Sequence, residues 1–399
     1  MNKYKYIIGL VLLTLVLKSQ ELSFNLQKCI SEYSVKNYDS ALYYSQKINE
    51  ATIIKRAIQI KAESLFNLKQ YDKALTEFLK LTGNAEIKNS IYIARIYATK
   101  KDWENTDKWL RKHLASKYKL NPGLIKTDKF FIEFSKTKIW QKIWMKDWYT
   151  PLDEKIAEIE YLGYKKKYVD ALNASDEVLQ EKKDCYKVYH IRARIYKKLN
   201  DLDNVVYAMK NAVKYAPENV KYSFDYAQAL FNVGKYKKAI QELKRTKELD
   251  NYYPRINYFM AQYNFRYNNY NEAKIFIEKY RKIMPLDYDA IWLAGYIYKE
   301  KKEYDNAVNV FDIGIKNGQQ RAGFYIGKGE SLYNLKRYGE AVVSFTMALD
   351  LKPKDGSIYY MRGLSYIELE NKTDACRDWQ KASKLGYFKA DDMISTNCK

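Results

Sequence analysis

Histidine, cysteine and convergent carboxylates carry most side-chain chemistry, and the first two are scarce in this sequence. Its 399 residues hold two histidines, His113 and His190, and four cysteines, Cys29, Cys185, Cys376 and Cys398. No pair among them has the short spacing of a tetrahedral zinc site. The H-E-x-x-H and G-x-S-x-G motifs and the phosphate-binding P-loop are all absent. Gly327-Lys328-Gly329 falls in a stretch of helical periodicity, where it cannot form a phosphate-cradling loop. The 48 Asp and Glu residues sit at spacings ordinary for pairs on helix surfaces. The expectation is a chain without enzymatic activity, metal or cofactor, whose chemistry is non-covalent binding.

Charge is the first candidate for that binding. Lys and Arg number 70, and the formal net charge is +22. A local concentration runs through Lys108, Arg111, Lys112, Lys117, Lys119, Lys126, Lys129, Lys136, Lys138, Lys142 and Lys146, opposed between its ends only by Asp128 and Glu133. Trp103, Trp109, Trp140, Trp144 and Trp148 lie within or beside it. Basic residues interleaved with aromatics suit single-stranded nucleic acid, an anionic membrane surface or an acidic polymer. They equally suit a solvated basic face over an apolar helix face.

The N-terminus bears on the choice. Lys3 and Lys5 precede an uncharged, nearly all-apolar run from Ile7 to Leu17. Residues 1–19 therefore read as an export signal, because the run is short of the roughly 20 residues that span a bilayer. A buried first helix or an uncleaved anchor is the alternative. Export points to the periplasm or cell envelope and makes nucleic acid an unlikely ligand.

The elements that must position these residues are helical. Gly and Pro together, 15 and 6, make about 5% of the chain against roughly 12% on average. Too few turns remain for a sandwich or propeller. Ala171, Val205, Ala239, Ala273, Ala307, Ala341 and Ala375 recur every 34 residues. Tyr168, Leu202, Tyr236, Tyr270, Tyr304 and Tyr338 stand three before six of them. Mostly small residues stand twelve before: Ile159, Ala193, Ala227, Ala261, Gly295, Gly329 and Gly363. Large ones mostly stand four after, among them Leu243, Ile277, Phe311, Phe345 and Trp379. Pro217, Pro285 and Pro353 close three copies. Small residues let paired helices approach, large ones fill the groove to the next pair, and proline stops the second helix.

This pattern resembles the tetratricopeptide repeat, most clearly at Tyr325, Gly329, Tyr338, Ala341, Phe345, Ala348 and Pro353. The resemblance implies an all-α superhelical solenoid of helix-turn-helix repeats. Three weaker copies occupy 20–117, around Cys29, Tyr38 and Ala41, then Ala62, Tyr71, Ala74 and Phe78, then Ala94, Tyr97 and Trp103. Residues 118–151 are expected to form an extra, basic and aromatic helical hairpin, opened by the turn signal Asn121-Pro122-Gly123. Seven copies fill 152–389. A capping helix ends in the tail 390–399. A hairpin folded at Gly386 would bring Cys376 and Cys398 together, and a disulfide there would pin the cap in an oxidising compartment. Two unpaired thiols remain the alternative.

The resemblance also implies an inward, peptide-binding face on the first helix of each repeat. By register, that face carries His190, Arg194 and Lys197, then Phe224, Gln228 and Phe231, then Tyr258, Gln262 and Phe265, then Trp292, Tyr296 and Lys299, then Ile326, Glu330 and Tyr333. Gln amides would bond a peptide backbone and the aromatics would take its side chains. Simple helix packing is the competing reading. The Lys/Asn pattern with which some family members clamp a C-terminal carboxylate is absent. The expected function is a non-enzymatic scaffold or adaptor of the cell envelope with protein or peptide partners. The alternative is a peripheral binder of anionic membrane or envelope polymer through the basic segment.

Overall fold

The computed structural model of the protein describes residues 20–48, 54–318 and 321–398. The export signal expected over 1–19 lies outside the described residues. All elements among the described residues are helical, and none is long and apolar enough to cross a membrane. In the strong block the second helices begin on the repeat register, at Tyr168, Leu202, Tyr236, Tyr270, Tyr304 and Tyr338. The turn before each is made by one residue of positive φ, at Lys166, Asn200, Gly234, Asn268, Lys302 and Lys336. Only Gly234 takes that left-handed conformation without a Cβ penalty. The chain divides into two compact units, Met1–Pro254 and Arg255–Lys399.

The first unit opens with three helix pairs: 20–34 with Tyr38–Gln46, Ile54–Asn67 with Tyr71–Phe78, and Asn84–Thr99 with Trp103–Leu114. Cys29, Ala41, Ala62, Ala74, Ala94 and Thr106 are all fully buried at the helix contacts, as the register requires. Burial pushes the Cys29 thiol up to about 12, partly offset by Arg56, so it packs as a small hydrophobe rather than reacting. Tyr252 packs on the core of the first pair, and Arg56 Nη1 donates to Asp250 Oδ1 at 2.8 Å. The loop that carries both, 250–255, is longer than its counterparts 216–219 and 284–287.

Residues 118–151 depart from the expected hairpin. They form a short helix Pro122–Lys126, two 3-10 turns Lys129–Phe131 and Phe134–Lys136, and a helix Lys138–Trp144. The side chains of Asn121, Asp128 and Thr137 each accept a backbone N–H just downstream, so each starts a new turn and no helix grows long. Apolar residues, three of them aromatic, anchor these pieces: Ile125, Phe131, Phe134, Trp140 and Ile143 join the core of the second and third helix pairs. The next array begins at Pro151, first residue of Pro151–Tyr164, where Thr150 and Asp153 form a reciprocal capping box.

In the second unit large residues plug positions that lack a Cβ. Phe311 lies against Gly295 and Gly327, Phe345 against Gly329, and Trp379 against Gly363. All three rings are fully buried. The last helix, Lys389–Asn397, packs on Lys372–Lys384 and is tied to it by a disulfide between Cys376 and Cys398. The bond closes a separation of 22 residues, for which loop entropy gives a stabilisation of about 3.4 kcal/mol. Non-reducing peptide mapping is expected to recover both cysteines in one linked fragment. Cys398→Ser is expected to speed amide exchange in Lys389–Asn397 while leaving the other helices unchanged.

Candidate functional site

The first-helix face in the first unit is built by three successive elements: Pro151–Tyr164, Tyr186–Lys198 and Val220–Asn232. Four of the register-predicted residues converge there. His190, Arg194 and Lys197 line one pocket with Gln228 of the next repeat. Its volume is about 120 Å³, and its floor is apolar, made by Ala193, Val205, Met209 and Ala229. His190 Nε2 lies 3.2 Å from Asp225 Oδ2, and its ring centroid is 4.8 Å from that of Tyr222. Arg194 is largely exposed and only loosely paired with Glu160 at 3.9 Å. Lys197 is exposed and has no carboxylate partner among the described residues. The rim thus sets Arg194 and Lys197 beside the His190–Asp225 pair, the floor is apolar, and the side-chain amides of Gln228 and Asn232 line the pocket.

A second pocket, of about 460 Å³, continues this face toward the interruption, lined by Lys117, Lys119, Leu124, Ile156, Glu160 and Lys187 among others. Lys119 Nζ reaches Asp153 at 3.1 Å, and Tyr149 donates its hydroxyl to Leu120 O at 2.6 Å. The interruption therefore seats on the groove positions of Pro151–Tyr164. Nothing in the repeat spacing announced that adjacency, because the interruption has no register of its own.

Other predicted groove residues serve packing. Phe224 is buried against Tyr253, with ring centroids 4.9 Å apart, because the 250–255 loop carries Tyr253 over it. Tyr258 is buried against Tyr280 at 5.7 Å, under the Arg255 guanidinium at 4.4 Å. Burial raises both the Tyr253 and Tyr258 phenols to about 12, with nearby carboxylates adding to the shift. Neither Phe224 nor Tyr258 can contact a ligand without rearrangement. Phe231, Phe265 and Tyr333 pack edge-on or tilted on Tyr236, Tyr270 and Tyr338, the tyrosines that start the second helix of the same repeat. Tyr33 with Tyr38 and Phe66 with Tyr71 repeat the arrangement. An aromatic five residues before each tyrosine was the available signal, and it accounts for much of the tyrosine excess.

In the second unit Gln262 is half-buried, and Trp292 stays 41% exposed, its ring 4.5 Å from that of Tyr296. Lys299 Nζ lies 4.7 Å from the Tyr296 ring and 2.6 Å from Glu330 Oε2, so this lysine is neutralised locally. Ile326 is half-buried beside the core of the following pair. Trp292 is the register-predicted aromatic that best retains a free surface.

The basic segment divides into paired and unpaired residues. Arg111 pairs with Asp107, Lys112 with Glu86, Lys119 with Asp153 and Lys136 with Glu133. Lys108, Lys117, Lys126, Lys129, Lys138, Lys142 and Lys146 are exposed. The tryptophans are not free stacking surfaces. Trp109 and Trp140 are buried, Trp103 stacks on Phe134 at 5.5 Å, and Trp148 Nε1 donates to Ile143 O.

The two histidines have different fates. His113 is 1% exposed, and its Nε2 accepts the Leu120 N–H at 3.0 Å, tying the helix Trp103–Leu114 to the start of the interruption. Desolvation, with a smaller contribution from Arg95, lowers its pKa to about 4. The folded chain holds the neutral ring while the unfolded chain protonates it near pH 6.5. Its contribution to stability is complete above about pH 6.5 and is lost as pH falls toward 4, with a slope approaching about 1.4 kcal/mol per unit. His113→Gln, which retains an acceptor, is expected to flatten that acid limb in urea titrations; an unchanged limb would show that His113 does not carry it.

A further recurring device escaped the sequence pattern. A basic residue of one first helix reaches the second helix sixteen residues earlier: Arg192 to Asp176 and Ser175, Lys328 to Asp312, and Arg362 to Thr346. These ties fasten each repeat to its predecessor.

Comparison with known proteins agrees with this architecture. A family model for the tetratricopeptide repeat matches residues 192–254 and 292–356. A DnaJ homolog subfamily C member 7 homolog of Dictyostelium discoideum is 24% identical over 219 residues, 54% of this chain and 36% of that protein. The BBSome complex member BBS4 of Bos taurus is 22% identical over 220 residues, 52% of this chain and 40% of that protein. The chain thus spans less than half the length of either relative. The solved C-terminal part of a TPR repeat-containing protein from Cytophaga hutchinsonii superposes with a TM-score of 0.50 at 18% identity, covering 59% of this chain and 98% of that one. With its 34-residue register realised as stacked helix pairs, the chain carries tetratricopeptide repeats at 192–254 and 292–356 and folds as a tetratricopeptide-repeat solenoid.

Proposed function

We propose that the chain is an exported, non-enzymatic scaffold of the cell envelope that holds a segment of a partner protein on the first-helix face of residues 186–232. The observation that carries this reading is the convergence of His190, Arg194, Lys197 and Gln228, from two consecutive repeats, on one apolar-floored pocket. The Gln228 amide is suited to a peptide backbone group, the floor to a small apolar side chain, and Arg194 and Lys197 to an acidic neighbour. The apolar run Ile7 to Leu17 behind Lys3 and Lys5 supports export.

A photo-crosslinking residue placed at Lys197 tests the groove in the native host. It is expected to trap a discrete partner, whereas the same residue at the exposed Lys210 traps none. Arg194→Glu combined with Gln228→Ala is expected to abolish the adduct. Equal trapping at both positions, or an adduct indifferent to the double substitution, removes the assignment. Sequencing the mature N-terminus tests export separately. Cleavage near residue 19 is expected, and an intact Met1 would overturn the envelope location while leaving the groove reading standing.

A further inference from the structure

We propose that the interruption at 118–151 is a docking surface for an anionic lipid bilayer. Its charge is one-sided. Lys126, Lys129, Lys138, Lys142 and Lys146 are exposed and have no carboxylate partner among the described residues. Of the acidic groups inside the segment, Asp128 is engaged by Arg95 Nε at 2.7 Å and Glu133 by Lys136, which leaves the exposed Asp147 alone against these five lysines. Apolar side chains project beside these lysines: Leu124 is 58%, Ile132 55% and Met145 80% exposed.

Contacts within the segment draw several of these groups together. Lys126 Nζ lies 4.5 Å from the Trp144 ring centroid, bringing the turn Pro122–Lys126 to the end of Lys138–Trp144, where Met145 follows. Lys146 Nζ lies 4.5 Å from the Trp148 ring centroid. Lysine heads on long stems, half-buried tryptophans and protruding aliphatic tips match the chemistry of a headgroup layer above an acyl boundary. Each lysine near an anionic leaflet raises affinity about fivefold.

The same geometry disfavours the other anionic partners. Single-stranded nucleic acid needs an open aromatic face. Here Trp144 packs on Trp140 at 5.6 Å on one side and meets Lys126 on another, and Trp140 packs on Phe131 and Phe134. A soluble acidic polymer would engage the lysines but has no use for Leu124, Ile132 or Met145. The proposal does not depend on the groove reading, since its residues lie outside the pocket of His190 and Gln228.

The test uses the full chain and vesicles of phosphatidylcholine with or without phosphatidylglycerol. Binding is expected to the phosphatidylglycerol vesicles only, falling steeply with added salt. Lys126→Glu, Lys142→Glu and Lys146→Glu combined are expected to weaken it by at least about 100-fold. Met145→Ser with Leu124→Ser leaves the charge untouched. It is expected to weaken binding about tenfold and to lower the quenching of tryptophan fluorescence by brominated lipid. All five residues are exposed, so circular dichroism of the variants should match that of the parent. Absence of binding to phosphatidylglycerol vesicles at low salt overturns the proposal. So does indifference to the serine pair together with equal binding to soluble polyglutamate, which would make the surface a general polyanion site.

Discussion

Replacing Phe311 by alanine is expected to destabilise the C-terminal unit by about 3–5 kcal/mol. The ring is fully buried and sits between Gly295 of its own repeat and Gly327 of the next, so its loss opens a void at an inter-repeat contact. Neighbouring backbone cannot collapse into that void without unstacking the pair. Alanine at Gly327 would place a methyl inside the ring and is expected to cost about 1–3 kcal/mol by overpacking. The two substitutions should compensate. In the Phe311→Ala background Gly327→Ala meets no ring and gains the helix propensity of alanine, about 1 kcal/mol. A double-mutant cycle by urea denaturation reads this coupling. Additive losses would mean that the ring and the two glycines do not act as one contact.

Asp378→Ala is expected to cost a similar amount, about 3–5 kcal/mol, through charge rather than volume. Arg362 donates from Nε to Asp378 Oδ2 at 2.7 Å and from Nη2 to Oδ1 at 2.8 Å, while Nη1 donates to Thr346 Oγ1 at 3.0 Å. Asp378 is only 4% exposed. Removing the carboxylate strands a guanidinium that already joins three helices, Tyr338–Leu351, Gly356–Glu368 and Lys372–Lys384. Lysine at 362 cannot restore the two-point geometry and should recover little. The paired change Arg362→Met with Asp378→Leu, which removes both charges, should return most of the stability. Thermal unfolding of the four proteins decides it. A paired variant no better than Asp378→Ala would mean that the loss comes from packing and not from the isolated charge.

Part of the molecule was legible in the chain. The alanine and glycine register located both helices of each strong repeat, because each position has one fixed contact partner in a stacked pair. Cys376 and Cys398 were legible as a pair for the same reason, since a hairpin at Gly386 leaves them few other neighbours. His113, standing where the register wants a packing alanine, was legible as structural. The groove was legible only in part. His190, Arg194, Lys197 and Gln228 converge as the register implies, but Phe224 and Tyr258 do not reach the surface. Phe224 is covered by Tyr253 from a loop two residues longer than its counterparts, and Tyr258 by Tyr280 and Arg255, contacts that no periodicity describes. The interruption read as a helix pair because its aromatics follow helical spacing. Three side-chain caps broke that helix into turns, and the core claimed most of the aromatic rings.

By itself, then, the sequence determined the class, the repeat length, the helix boundaries of the strong block and the poverty of catalytic groups, all of which follow from local periodicity and composition. Tertiary structure decided which aromatics are walls and which are exposed, which lysines keep a free charge, and that the interruption borders the groove. Those properties depend on neighbours brought together from distant points of the chain. Arg56 and Asp250, 194 residues apart, and Lys126 and Trp144 in the interruption meet only once the helices have stacked.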